Sequence, residues 1–326
     1  MKAAISSARS CGRSRRLAAS VVGAMALAVA YAGPISVQAA GVKNCNGTST
    51  SNVAITDLTA PYLTEPGGLY PDGTNTPPVD YEAAGVAAGR AIVPLDTLGR
   101  PSSTGRILFI SVGMSETNLL FGYFQAQENT DTLRNRAVRM INGAYQMASP
   151  SYWMDPNSSY WLRVRQNIYG IGSTDLQVQA IWLQEADTFP TTDFETYAHN
   201  LAGELSAIIA VAASKYINLK QVYISDRTYA GYTVGAGNPE PYAYQTAFAD
   251  KFAIEQSITN TSALPWIGWG PYLWTNGVLG RSDGMVWLCS DTQSDGNHPS
   301  LTGQAKISTL MHNLWTTSEF SPWFHV

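Results

Sequence analysis

Short apolar runs alternate with longer segments of helical periodicity over most of the chain. The apolar runs predict five buried strands, at residues 106–111, 137–141, 178–183, 221–225 and 285–288. Helices are predicted over residues 83–91, 118–129, 194–216, 242–258 and 300–315. Strands that alternate with helices favour a parallel sheet covered on both faces. The pattern therefore predicts an α/β protein, a three-layer α/β/α sandwich with a mostly parallel five-stranded sheet.

The first 100 residues differ from this pattern. Basic residues precede an apolar run from Leu17 to about Ala32, and Val37-Gln38-Ala39 has the small-x-small form of a cleavage site. We therefore interpret residues 1–39 as a secretory signal peptide, with a retained membrane anchor as the alternative. Residues 40–100 are rich in Thr, Pro, Gly and Asn, which predicts an irregular arm packed on the domain or a flexible linker. The main domain is then residues 101–326.

Charge and cysteine content indicate which partners are unfavourable and which cellular compartment is favoured. Residues 1–39 hold five of the 20 basic residues and no acidic residue, so the rest of the chain has 15 basic against 24 acidic residues, a formal charge of −9. This balance argues against nucleic acids and anionic membranes as partners. Cys11 lies in the predicted signal peptide, which leaves Cys45 and Cys289. Export to an oxidising compartment favours a disulfide between them, with two free thiols as the alternative.

One loop near the C-terminus carries candidate chemistry. Asp295 and His298 stand three residues apart in a turn-rich stretch before the last predicted helix. A carboxylate at that spacing can orient an imidazole, which can then take a proton from a nucleophile. Ser115 is the candidate nucleophile, because it follows the first strand in a Gly-containing turn. Ser115 could instead be a helix N-cap, and Asp291 could replace Asp295 as the partner of His298.

These two segments resemble those of the SGNH (GDSL-like) hydrolases, whose first block carries the serine and whose last block reads Asp-x-x-His. The resemblance implies a flavodoxin-like sheet and a serine esterase with a Ser115-His298-Asp295 triad. Residues 182–187 look more like the Trp-x-Gln-Gly-Glu pattern of carbohydrate acetylesterases in the same superfamily. Five further segments, at residues 67–71, 111–115, 227–232, 238–244 and 269–274, look like those of a group of secreted SGNH-like proteins.

The same resemblance implies where the oxyanion donors should lie. It places them on the backbone N–H of Ser115, in the second block at Gly143 and in the third block at Gln184. The second block departs from the family, because Gln146 and Met147 stand where glycines are expected. Gln184 could instead be a polar residue that caps a loop.

Aromatic residues are dense in the segments expected to cross the active face, and planar rings with polar tips suit sugars. The candidate substrate-binding residues are Tyr229, Tyr232, Trp269, Tyr272 and Trp274, with packing in the core as the alternative for each. No His/Cys cluster has zinc spacing, so the sequence predicts no metal site and no cofactor. The sequence thus predicts a secreted or periplasmic esterase that acts on a carbohydrate or small polar ester. The alternative is a carbohydrate-binding or structural protein on the same fold.

Overall fold

The candidate site residues are positioned by a central β-sheet. The computed structural model describes residues 42–46, 49–235, 237–259 and 265–326; the predicted signal peptide lies outside them. Five parallel strands form one sheet: β1 (Ile107–Gly113), β2 (Val138–Ile141), β3 (Val178–Gln184), β4 (Gln221–Ile224) and β5 (Trp266–Trp269). Their order is β2-β1-β3-β4-β5, and β1 and β3 are buried along their whole length. This confirms the predicted fold class and the flavodoxin-like order.

Within the described residues, seven helices cover the sheet: α1 (Val79–Arg90), α2 (Ser115–Glu128), α3 (Pro150–Met154), α4 (Ser159–Gly170), α5 (Phe194–Lys215), α6 (Tyr242–Thr259) and α7 (Leu301–Thr317). α2 packs on α7, whereas α5 packs on α6 and α3. The right-handed crossovers expected between parallel strands place these two groups on opposite faces. No helix within the described ranges is long and apolar enough to span a bilayer.

The predicted fifth strand was wrong. Residues 285–288 form a loop, in which the Trp287 N–H donates to Gly277 O at 2.9 Å and the Trp287 side chain is fully buried. The true edge strand is Trp266–Trp269, whose Trp266 aligns with Gln221 of β4. Residues 266–269 and 285–288 are both four-residue apolar runs, and either run could have formed the edge strand beside β4. The run nearer to the end of α6 forms it because its connection is shorter.

The arm at residues 42–100 is ordered by contacts with the sheet domain. The Trp269 Nε1–H donates to Leu69 O at 2.7 Å, and the Ile55 N–H donates to the Tyr272 hydroxyl at 3.1 Å. Buried Lys251 donates to the carbonyls of Pro66 and Gly67 at 2.8 and 3.0 Å. These bonds satisfy buried polar groups from both sides, so the arm packs as part of the domain.

Candidate active site

Ser115 lies where β1 turns into α2. The turn depends on Gly113, whose φ is +151° and whose backbone passes so close to β3 that a Cβ there would overlap Gln184 O. A side chain at this position would collide with β3, so only glycine fits. Ser115 is the first residue of α2 and is half-buried. Its backbone N–H belongs to the first turn of a helix, where N–H groups have no intrahelical partner.

His298 and Asp295 lie on a loop that is closed by its own backbone bonds. The Gln293 N–H donates to His298 O at 2.7 Å, and the Ser300 N–H donates to Asp291 O at 2.7 Å. Inside the loop, Asp295 Oδ1 accepts the backbone N–H groups of Asn297 and His298, both at 3.0 Å. The Asp295 side chain therefore accepts hydrogen bonds from the backbone of the turn and also lies beside the imidazole of His298.

The structure brings Ser115, His298 and Asp295 into one chain of hydrogen bonds. Ser115 Oγ is 2.7 Å from His298 Nε2, and His298 Nδ1 is 2.5 Å from Asp295 Oδ2. Burial works to raise the pKa of Asp295, but hydrogen bonds from His298 and the loop backbone outweigh it, and that pKa lies below its usual range. Asp295 thus stays ionised and holds Nδ1 protonated, which leaves Nε2 to accept the proton of Ser115.

Asp291 does not share this role. Its side chain is buried, accepts the Leu288 N–H at 2.8 Å and pairs with Lys306 at 2.5 Å. Of the two nearby carboxylates, the structure pairs His298 with Asp295 alone.

Arg227, which the sequence did not single out as a site residue, links the two catalytic loops. Its guanidinium lies 2.8 Å from the Glu116 carboxylate, donates to Asn297 Oδ1 at 3.0 Å and contacts Met114 Sδ at 3.6 Å. Met114 and Glu116 flank Ser115, and Asn297 precedes His298. Both side chains of the ion pair are almost completely buried. The bonds of Arg227 therefore fix the two backbones that carry the nucleophile and the base.

Two expected oxyanion donors are already engaged elsewhere. The Gly143 N–H donates to Ser111 Oγ at 3.1 Å, and the Gln184 amide donates to Glu116 Oε1 at 2.8 Å and to Asp226 O at 3.0 Å. Gly143 and Gln184 are thus structural, because buried partners in the core use their N–H groups. The third expected donor, the N–H of Ser115, lies in the first turn of α2.

The five aromatic residues expected to bind substrate are core residues instead. Each is at most 8% exposed, and the polar tips of four bond to the protein: Trp269 to Leu69 O, Tyr272 to Ile55 N, Tyr232 to Trp287 O and Trp274 to Glu240 Oε1. The ring of Tyr229 packs against Tyr232 at 5.2 Å and against Trp274 at 6.0 Å. Aromatic rings packed on each other in this way leave no open face for a sugar ring.

An open groove of about 330 Å³ lies beyond the end of β3. Its walls carry Ser149, Asp187, Thr188, Phe189, Pro190, Thr191, Thr192, Tyr197 and Asn200. Two contacts connect this groove to the catalytic loop: Asn297 donates to Gly237 O at 3.2 Å, and the Asn238 N–H donates to Thr188 O at 2.6 Å. Polar hydroxyl, carboxyl and amide groups dominate its walls.

The start of the arm supports the catalytic loop. Cys45 and Cys289 form a disulfide with their Cα atoms 5.6 Å apart. Beside it, Lys43 Nζ donates to Cys289 O at 2.9 Å and to Thr292 O at 3.0 Å, and the Lys43 N–H donates to Ser294 O at 2.9 Å. The loop with Asp295 and His298 is therefore held from one side by the N-terminal arm and from the other by Arg227.

Comparisons with known proteins give a similarity of fold. No protein-family model matches the sequence, and no curated protein matches it. A proposed SGNH hydrolase from Slackia heliotrinireducens is 16% identical, with a TM-score of 0.35, over 64% of this chain and 98% of that chain. A GDSL-like lipase from Bacteroides thetaiotaomicron is 10% identical, with a TM-score of 0.36, over 72% and 96% of the two chains.

An extracellular lipase from Streptomyces rimosus is 12% identical, with a TM-score of 0.34, over 64% of this chain and 99% of that chain. The chain is similar to these three structures, and the assignment of its chemistry rests on the geometry of Ser115, His298 and Asp295.

Proposed function

We propose that the protein is a secreted serine esterase that removes a short acyl group, such as acetyl, from a carbohydrate or a related polar ester. The observation that carries this proposal is the hydrogen-bonded chain from Ser115 Oγ through His298 to Asp295. A serine hydroxyl is unreactive at neutral pH unless a base lies within hydrogen-bond reach. Here the base is in reach, and an ionised carboxylate orients it.

The reaction follows from these contacts. Ser115 Oγ forms a bond to the ester carbonyl carbon while its proton moves to His298 Nε2, and the carbonyl oxygen becomes an oxyanion at the N-terminus of α2. Collapse of this intermediate breaks the bond to the alcohol, which leaves with the proton from His298. Water then repeats the sequence on the acyl-serine, and the acid product and free Ser115 result.

The preference for a polar substrate is supported by the groove beyond β3 rather than by the aromatic residues. Asp187, Thr188 and Asn200 in its walls can exchange hydrogen bonds with hydroxyl groups. A long acyl chain would need a continuous apolar lining. A short acyl group on a hydroxylated alcohol suits these walls better.

Export is supported by two independent features. Residues 1–39 have the charge and apolar pattern of a signal peptide. The Cys45–Cys289 disulfide is of a kind that forms and persists in an oxidising compartment.

The test is active-site labelling combined with hydrolysis. A fluorophosphonate should modify Ser115, located by peptide mass mapping, and p-nitrophenyl acetate should be hydrolysed by wild type and by the control Ser151→Ala. Ser115→Ala should abolish both the labelling and the hydrolysis. Hydrolysis that persists in Ser115→Ala would refute the assignment of the nucleophile.

One observation favours a second function. Because Gly143 and Gln184 are occupied by structural bonds, the site holds fewer oxyanion donors than expected, which suits a carbohydrate-binding protein without hydrolase activity. In that case neither labelling nor hydrolysis would be detected in wild type, whereas binding of oligosaccharides would be detected by calorimetry.

A further inference from the structure

A second cluster of ionisable side chains lies far from the catalytic site. Glu128, Asp131 and His312 each place one ligand atom within 4.8 Å of those of the other two. Glu128 is the last residue of α2, and Ser115 is its first. A helix of this length spans about 20 Å, so the cluster lies at the opposite end of α2 from the nucleophile.

The contacts inside the cluster leave one buried oxygen without a partner. His312 Nδ1 is 2.8 Å from Glu128 Oε1, and the Glu128 side chain is fully buried. The second oxygen, Oε2, is also buried and has no hydrogen-bond partner among the described residues. A buried carboxylate oxygen without a donor is costly, and a bound cation would satisfy it.

A second histidine borders these three groups. His325 Nε2 is 2.9 Å from Asp131 Oδ2, and the rings of His312 and His325 are 6.1 Å apart. The C-terminal segment is held in place by backbone bonds, since the Asn135 N–H donates to Phe324 O and the Val326 N–H donates to Leu133 O. The cluster thus combines groups from α2, the loop after it and α7, and the C-terminal segment borders it.

The chemistry of these groups selects a class of ion. Imidazole nitrogens with carboxylate oxygens suit Zn²⁺ and related transition metals, whereas Ca²⁺ requires six or more oxygen ligands. The guanidinium of Arg134 lies beside the cluster and donates to Glu128 O at 2.8 Å. Two carboxylates against one guanidinium leave a net negative charge for a divalent cation.

We propose that Glu128, Asp131 and His312 bind a divalent transition-metal ion such as Zn²⁺. Tetrahedral ligands about 2.0 Å from zinc are separated by about 3.3 Å. The His312–Glu128 contact therefore opens by about half an ångström as the ion replaces the shared proton. The ion joins the far ends of α2 and α7, the two helices that begin beside Ser115 and His298.

The experiment uses the purified protein after dialysis against EDTA. Co²⁺, a spectroscopic substitute for Zn²⁺, is titrated while visible absorption is followed, and Tm is measured with and without ZnCl₂. We expect one equivalent of Co²⁺ to give the intense bands of a tetrahedral site and Zn²⁺ to raise Tm, because an ion that binds only the native state stabilises it. Glu128→Gln and His312→Gln should weaken binding at least about tenfold.

His298→Gln is the matched control, because it removes a histidine that contacts a carboxylate outside the cluster. It should leave the Co²⁺ spectrum unchanged. No saturable binding, or binding lost in His298→Gln but retained in Glu128→Gln, would overturn the proposal. Glu128→Gln keeps the size of the side chain, so its far-UV and near-UV circular dichroism should match wild type and show that it folds.

Discussion

Arg227 pairs with Glu116 at 2.8 Å in the interior, directly beside the nucleophile. Glu116 directly follows Ser115 in the sequence. Arg227 also donates a hydrogen bond to Asn297, which directly precedes His298. Arg227 is thus a positioning residue, which acts on the reaction through the backbone of two loops.

We expect Arg227→Met to destabilise the protein by about 3 kcal/mol, because the Glu116 carboxylate would be left buried without its partner. Its kcat should fall while KM changes little, since both catalytic loops lose an anchor. Urea unfolding and esterase kinetics measure the two effects. Glu116→Gln combined with Arg227→Met should recover part of the stability. If the two single losses simply add in the double variant, the two groups are not coupled.

The second prediction concerns the partner of His298. Asp295→Asn should lower kcat by about 100-fold or more with little change in KM, because the amide no longer holds the productive imidazole tautomer. The loss should be smaller than that of Ser115→Ala. Asp291→Asn, which loses a bond to Lys306 instead, should reduce stability more than kcat. A larger kcat loss for Asp291→Asn would show that His298 is oriented by the other carboxylate.

The pH dependence of activity follows from the base. His298 accepts the proton of Ser115 only as a neutral imidazole, so kcat/KM should fall tenfold per pH unit on the acid side of its profile. The pKa of Asp295 lies below its usual range, so this carboxylate remains ionised throughout the fall. A flat profile from about pH 8 to about pH 5 would exclude a histidine base.

Gly113 offers a test of the turn that carries Ser115. Gly113→Ala should destabilise the protein by about 2 to 4 kcal/mol, because its φ is unfavourable for alanine and the new Cβ would collide with Gln184 O and Thr117 Oγ1. Gly203→Ala is the control: Gly203 lies in α5 with open space around its Cβ position, and the change should stabilise the helix by about 0.5 to 1 kcal/mol. Equal Tm values for the two variants would contradict the proposed collision.

Glu204 should make stability depend on pH. Burial and the nearby Asp187 raise the pKa of Glu204 to about 7, well above the usual range of a glutamate. Its contribution to stability is thus fully present below about pH 4.5 and is lost as pH rises through about 7, because the folded state must then hold an unfavourable charge. We expect Glu204→Gln to match wild type in urea unfolding at pH 4 and to exceed it at pH 8. Glu195→Gln on exposed α5 surface is the control and should show no such gain.

Four of the five strands could be predicted because they are apolar runs flanked by helices and turns, whereas the order of the sheet was implied by the family resemblance. The fifth strand was misplaced because residues 266–269 and 285–288 are equally short and apolar, and local pattern cannot tell an edge strand from a buried loop. The three proposed catalytic residues could be predicted for a local reason. Asp295 and His298 are three residues apart, and Ser115 follows a strand directly.

Other features of the site depend on contacts between distant segments. Nothing near Arg227 in the sequence shows that it bonds Glu116 and Asn297, 111 and 70 residues away. In the same way, the sequence could not show that the Gly143 N–H donates a hydrogen bond to Ser111. It also could not show that the Gln184 amide donates to Glu116. The proposed metal ligands could not be predicted from the sequence because His312 and Glu128 are 184 positions apart.

The Cys45–Cys289 bond has a consequence for a chain exposed to proteases. It closes a ring that contains the 243 residues between the two cysteines, including Ser115, because the cysteines are 244 positions apart. A protease that cuts one peptide bond anywhere in this ring leaves both pieces joined, so the nicked protein stays in one piece until it is reduced. Ser115 and His298 would then remain in one covalent molecule after a cut in any surface loop between Ser115 and Cys289.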